Sequence, residues 1–135
     1  MLYNKKPYFI DHAMARVLGF RSSEDRGRLL ENLIFIELQR RSGEIYFHKE
    51  KKECDFLVRR QGRVCEAYQV CLEMHDLNTR ERELEGLIEA ISLHSLDSGV
   101  IITELQEEKL EIPIDGRSTI IDILPAWKWL GSFKN

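Results

Sequence analysis

Long apolar runs are missing from this chain of 135 residues. The longest, Leu33 to Ile36, has four residues, against the roughly 20 needed to cross a bilayer as a helix, so a spanning helix is excluded. A secretory-leader pattern is not legible in the sequence either. The N-terminus, MLYNKKPYFID, carries two lysines with no apolar stretch or small-residue cleavage site behind them, which sets the expectation of a cytoplasmic protein with no membrane partner. There is no C-x-x-C pair. The three cysteines, Cys54, Cys65 and Cys71, form an odd set within predicted strands and read as reduced thiols acting as small hydrophobes; a zinc site from Cys71 and His75 is the alternative. With no repeat, low-complexity tract or linker, residues 1–135 read as a single domain, and 43% hydrophobic residues are enough to build its core.

An excess of one charge is also absent, since the net charge is only -3. Its distribution is uneven. Up to Arg63 there are 14 basic and 9 acidic residues, and from Val64 onward 6 basic and 14 acidic. A basic first half is compatible with a phosphate-bearing partner, but solvated faces explain the same counts, so charge alone does not decide for DNA.

What is present is a clear order of elements. Tyr8-Phe9-Ile10 is a short strand candidate and Asp11 caps a brief helix to Leu18, so residues 1–20 lead into the core. Ser22-Ser23 opens the strongest helix, Ser23 to Arg41, whose apolar face holds Leu29, Leu30, Leu33, Ile34, Ile36 and Leu38 before Gly43 ends it. Three strands follow, Glu44 to Lys49, Glu53 to Arg60 and Val64 to Glu73, with connections short enough for an antiparallel meander. Alternation in the second puts Cys54, Phe56 and Val58 on one face, Asp55 and Leu57 on the other. Asn78-x-x-Glu81 is a capping pattern for a second amphipathic helix, carried by Leu84, Leu87, Ile88 and Ile91 to about Ser95. Gly99 to Thr103 is an apolar strand suited to a sheet covered on both faces, and a helix between neighbouring strands implies a right-handed crossover and a parallel pair. Leu110 to Ile114 and Thr119 to Leu124 are strands joined by an Asp115-Gly116 turn. A short helix started by Pro125 closes the chain. Trp127, Trp129, Leu130 and Phe133 in this tail are expected to pack onto the sheet, with a dimer contact as the alternative. The fold class is α/β.

Chemistry concentrates in ECDFLVRRQGRVCEAYQVC, residues 53–71. Asp55 stands early in a strand although strands disfavour Asp. On the next strand Cys65, Ala67, Gln69, Cys71 and Glu73 share a face, and Glu66 lies on the other. Glu31 sits on the long helix among Leu30, Ile34 and Phe35. A carboxylate so near an apolar face calls for a partner, and Arg28, three residues back, is one candidate.

Glu31 on a helix, Asp55 entering a strand, and a triplet on the next strand before a crossover helix together resemble the PD-(D/E)XK, restriction-endonuclease-like superfamily. More closely, PYFID, GRLLENLIFIELQRR, ECDFLV, YQVC, TRERE and WKWL, spread from Pro7 to Leu130, resemble the C-terminal domain of uncharacterised function that follows an AAA+-type ATPase module and a winged helix in archaeal and bacterial chains. The resemblance implies an αβββαβ core with a mixed sheet flanked by helices, plus a C-terminal β-hairpin and short helix. It puts Glu31, Asp55 and Gln69 at the metal positions, for Mg or Mn, and Cys71 at the position of the catalytic lysine. DNA, an ATPase module in trans and a second copy of the chain are the partners it implies. Magnesium favours carboxylate oxygens, and the lysine helps to orient the attacking water. Gln69 offers a neutral carbonyl oxygen and Cys71 a soft thiol. The expectation is therefore a catalytically inactive nuclease-like domain, with weak or absent metal binding, that acts as a nucleic-acid- or protein-binding module. Two alternatives stand beside it: an active metal-dependent DNA endonuclease that takes its lysine from Lys49, Lys51 or Lys52, and a structural or dimerising domain.

Overall fold

The computed structural model describes residues 21–132. The strand and short helix expected within residues 1–20, and Phe133, lie outside them. Helix α1 (Ser23–Ser42) starts where Ser22 Oγ accepts a hydrogen bond from the Asp25 N–H at 3.2 Å. Glu24 and Asp25 sit at its positive end, Arg40 and Arg41 at its negative end, as the helix dipole favours. Leu30, Ile34 and Leu38, four residues apart, are fully buried along one row. Ile36 was expected on this face but is 52% exposed. Two residues from both Ile34 and Leu38, it lies roughly 200° round the helix from each.

The meander is β1 (Glu44–Lys49), β2 (Glu53–Arg60) and β3 (Arg63–Val70), antiparallel throughout. Gln61 and Gly62 turn the second hairpin with φ of 53° and 77°, the doubly positive geometry that matches strand twist. Helix α2 (Leu77–His94) then crosses to β4 (Ser98–Thr103), which pairs parallel to β3 as expected. Strands β5 (Glu108–Ile114) and β6 (Arg117–Pro125) form a hairpin across Asp115-Gly116, and α3 (Ala126–Gly131) follows. Because β6 pairs parallel to β4, the hairpin extends the same sheet, giving, among the described residues, six strands in the order β1-β2-β3-β4-β6-β5. The molecule is thus α/β, a mixed sheet flanked by helices. Among the described residues no helix is long and apolar enough to cross a membrane.

One face of the sheet is covered by α1 and α3, where Leu30, Ile34 and Leu38 meet Val58, Tyr68, Val70, Ile102 and Trp129. The tail packs onto the sheet here: the Trp129 ring stands edge-on to Tyr68 at 5.7 Å, and the Arg41 guanidinium lies 4.1 Å over it. On the other face Leu87, Ala90 and Ile91 of α2 meet Leu57, Ala67, Ile101, Ile121 and Ile123.

Local details differ from the sequence reading for identifiable reasons. The cap of α2 is Asp76, whose carboxylate accepts from the Thr79 N–H at 2.9 Å; Asn78 lies inside the first turn. Strand β3 ends at Val70, three residues before the expected Glu73. Cys54 is buried with the α2-side core, not beside Phe56 and Val58. Between Tyr46 and His48, two steps along β1, the paired residues on β2 run three steps from Leu57 to Cys54. The extra residue is a β-bulge at Asp55-Phe56, and it inverts the alternation from there on.

Candidate functional site

The bulge sets the site. The β2–β3 ladder ends at Phe56 opposite Tyr68, and beyond it polar side chains replace backbone pairing. The Asp55 N–H donates to Gln69 Oε1 at 2.8 Å, while the Val70 N–H donates to Asp55 Oδ2 at 2.8 Å. Gln69 Nε2 donates to the carbonyl oxygens of Glu53 at 3.0 Å and Glu83 at 2.9 Å. Gln69 is 1% exposed, and both ends of its amide are occupied. At Gly86 a Cβ would stand 1.8 Å from the Glu53 carbonyl oxygen and 2.7 Å from Gln69 Nε2, so only glycine lets α2 come this close to β2.

Asp55, Glu53 and Glu83 share an opening with Lys49, Lys51, Lys52 and Arg82. Burial is the main reason the Asp55 carboxyl rises from 3.8 to about 6; the Val70 hydrogen bond opposes the rise, and the charges of Glu31 and Glu53 add to it. Burial also lifts Glu83 to about 7, helped by Asp55 and countered by Arg82. The Cys71 thiol is pushed up to about 11 by burial and by Glu83, and its Sγ lies 3.0 Å from the Glu73 carbonyl oxygen. It is a neutral thiol at neutral pH.

Asp55 and Gln69 are therefore in direct contact. Glu31 is exposed on α1, its charge felt at both Asp55 and Glu83; Arg28 pairs instead with Glu24 and Asp25. Cys71 lies one residue past the end of β3. Glu66 takes the opposite face, where it accepts from the Tyr68 hydroxyl at 2.8 Å and pairs with Arg60 at 2.7 Å.

Glu83 was not singled out in the sequence. Its signal was there: it stands four residues before Leu87 and eight before Ile91, continuing a buried helical row. His48 was missed as well. Buried on β1, its Nε2 lies 2.8 Å from Glu89 Oε2, which also accepts from the Lys52 N–H. This pins the lysine-bearing β1–β2 loop to α2.

These side chains do not fit a hard divalent cation in the way the nuclease resemblance implies. Gln69 Oε1 already accepts from the backbone, and Cys71 is a soft, neutral donor. Among the described residues no group of three or more His, Cys, Asp or Glu side chains is arranged to hold a metal ion. Two of the surrounding cations are paired within the chain, Lys49 with Glu53 and Lys52 with Glu85, as are Arg59 with Glu44 and Arg26 with Glu104 elsewhere on the molecule.

No family model matches the chain. It is 38% identical over 131 residues to the uncharacterised protein MJ1544 of Methanocaldococcus jannaschii, an alignment that takes in 92% of this chain and 29% of that protein. The chain thus spans under a third of the length of its curated relative.

Proposed function

We propose that this chain is a restriction-endonuclease-like domain without metal-dependent cleavage, serving as a protein-binding module in an ATPase-associated system. The observation that carries this reading is Gln69: at the position of a metal ligand stands an amide whose oxygen and nitrogen are both hydrogen-bonded within the protein. Cys71, where the resemblance puts a lysine, offers no ammonium to orient water. A protein partner is favoured over DNA because so many basic side chains are neutralised in place, leaving fewer charges to displace counterions from phosphates. The two sheet edges also differ. Edge strand β5 carries Glu108, Lys109 and Glu111 and contains Pro113, a common protection against strand pairing. Edge strand β1 exposes Tyr46 and Phe47, apolar side chains on a strand able to accept an added strand. The test is nicking of plasmid and branched DNA in Mg²⁺ or Mn²⁺, with and without EDTA, alongside DNA binding across a salt series. No cleavage and no salt-sensitive binding are expected. Asp55-dependent nicking would overturn the reading, and tight salt-sensitive binding would make nucleic acid the partner.

A second reading, an active nuclease, is favoured by one observation. Glu83 and the lysines of the β1–β2 loop line the same opening as Asp55, supplying there the carboxylate and ammonium that positions 69 and 71 lack. The same nicking assay, with Asp55→Ala and Lys51→Ala, decides it.

A further inference from the structure

We infer that Gln69 is the joint fastening α2 to the sheet, and that this chain holds a hydrogen-bonded clamp where the nuclease resemblance places a metal-binding carboxylate. The inference goes beyond the binding-module reading, since it holds whichever partner the domain takes.

The argument rests on donors and acceptors. Gln69 joins three elements at once: it accepts from the Asp55 N–H of β2, and it donates to the carbonyl oxygens of Glu53 on β2 and Glu83 on α2. An ionised glutamate has acceptors only. Its oxygens would keep the Asp55 N–H and face two carbonyl oxygens where Nε2 now donates. The new charge would also join Asp55, whose charge already raises the proton affinity of Glu83. The Gln69 side chain is buried, 1% exposed, so water has little access to replace the lost donors. Gly86 completes the joint by bringing the α2 backbone against the same carbonyl oxygen. A metal at Gln69 would have to share Oε1 with the Asp55 N–H, at the point where the β2–β3 ladder has already stopped. Position 69 is therefore not a single substitution away from a metal site.

The experiment compares wild type, Gln69→Glu and Gln69→Met by thermal unfolding at pH 5 and pH 8, in EDTA and in millimolar Mn²⁺. Both variants leave buried backbone groups without a partner and are expected to lose roughly 10 °C or more in Tm at pH 8. The glutamate variant regains part of the loss at pH 5, where a protonated carboxyl donates one hydrogen bond, and the methionine variant does not. Mn²⁺ leaves the Tm of Gln69→Glu unchanged. A glutamate variant as stable as wild type at pH 8, or one stabilised by Mn²⁺ through Asp55, would overturn the inference. Wild-type NMR supplies a readout that does not depend on variants folding. The Gln69 side-chain NH₂ protons should be protected from hydrogen exchange, and exchange at the rate of a free amide would overturn the clamp. Cleavage by wild type would sink the inactive reading and leave this inference standing.

Discussion

Replacing Asp55 by Asn removes a charge from a half-buried position on β2 while leaving an oxygen for the Val70 N–H. The magnitude follows from the carboxyl group's proton affinity. Burial, with Glu31 and Glu53 nearby, raises its pKa from 3.8 to about 6. Each tenfold change is worth about 1.4 kcal/mol, so holding Asp55 ionised in the folded protein costs at most about 3 kcal/mol. The asparagine NH₂ needs a partner of its own, and leaving it without one returns about 1 kcal/mol or more. The net expectation is a gain of about 1–2 kcal/mol for Asp55→Asn at pH 8. The sign is set by the direction of the shift. A folded-state pKa above the unfolded value means that the folded protein holds more protons. Stability is then complete below the ordinary carboxylate range and is lost as pH rises through about 6 for Asp55 and about 7 for Glu83. Glu89 and Asp76 have lowered pKa values, and their contribution is lost only on acidification below the ordinary range, so comparing pH 5 with pH 8 separates the two effects. Urea unfolding at both pH values, in EDTA, is the assay. Wild type should be less stable at pH 8 than at pH 5, and Asp55→Asn should remove part of the difference. A variant destabilised equally at both pH values would refute the reasoning, because Asp55 would then act as a hydrogen-bond acceptor whose charge is immaterial.

Gly86→Ala drives a methyl group into the Glu53 carbonyl oxygen and should cost about 3 kcal/mol or more; a neutral result by urea unfolding would mean that α2 is not seated so closely on β2. Trp129→Ala removes the ring that packs against Tyr68 and Arg41 and should cost about 3–5 kcal/mol, read by denaturation followed through the fluorescence of Trp127. Asp76→Ala should lose about 1 kcal/mol through the α2 cap while Asn78→Ala stays close to wild type, and the reverse order in paired Tm measurements would restore the Asn78 cap.

Local chemistry decided much of this protein from sequence alone. Ser22 and Gly43 mark the ends of α1, because a capping hydroxyl and a glycine with positive φ act within a single turn of chain. Gln61-Gly62 and Asp115-Gly116 placed their turns for the same reason. The run of meander, helix and strand then left few ways to arrange the sheet, and the parallel β3–β4 pair followed from the helix between them. Asp55 stood out because strands disfavour Asp, and Gln69 because the nuclease resemblance puts a metal ligand at its position. Their use was settled only in three dimensions. The bulge at Asp55-Phe56 arises from pairing with β1, and no alternation within β2 reveals a residue inserted relative to a neighbour. Glu83 reaches Gln69 only because α2 returns to the sheet with Gly86 facing inward. Sequence specifies which groups can donate, accept or carry charge; the packing of α2 against β2 and β3 determined that both N–H donors of Gln69, and its oxygen, would be engaged within the protein.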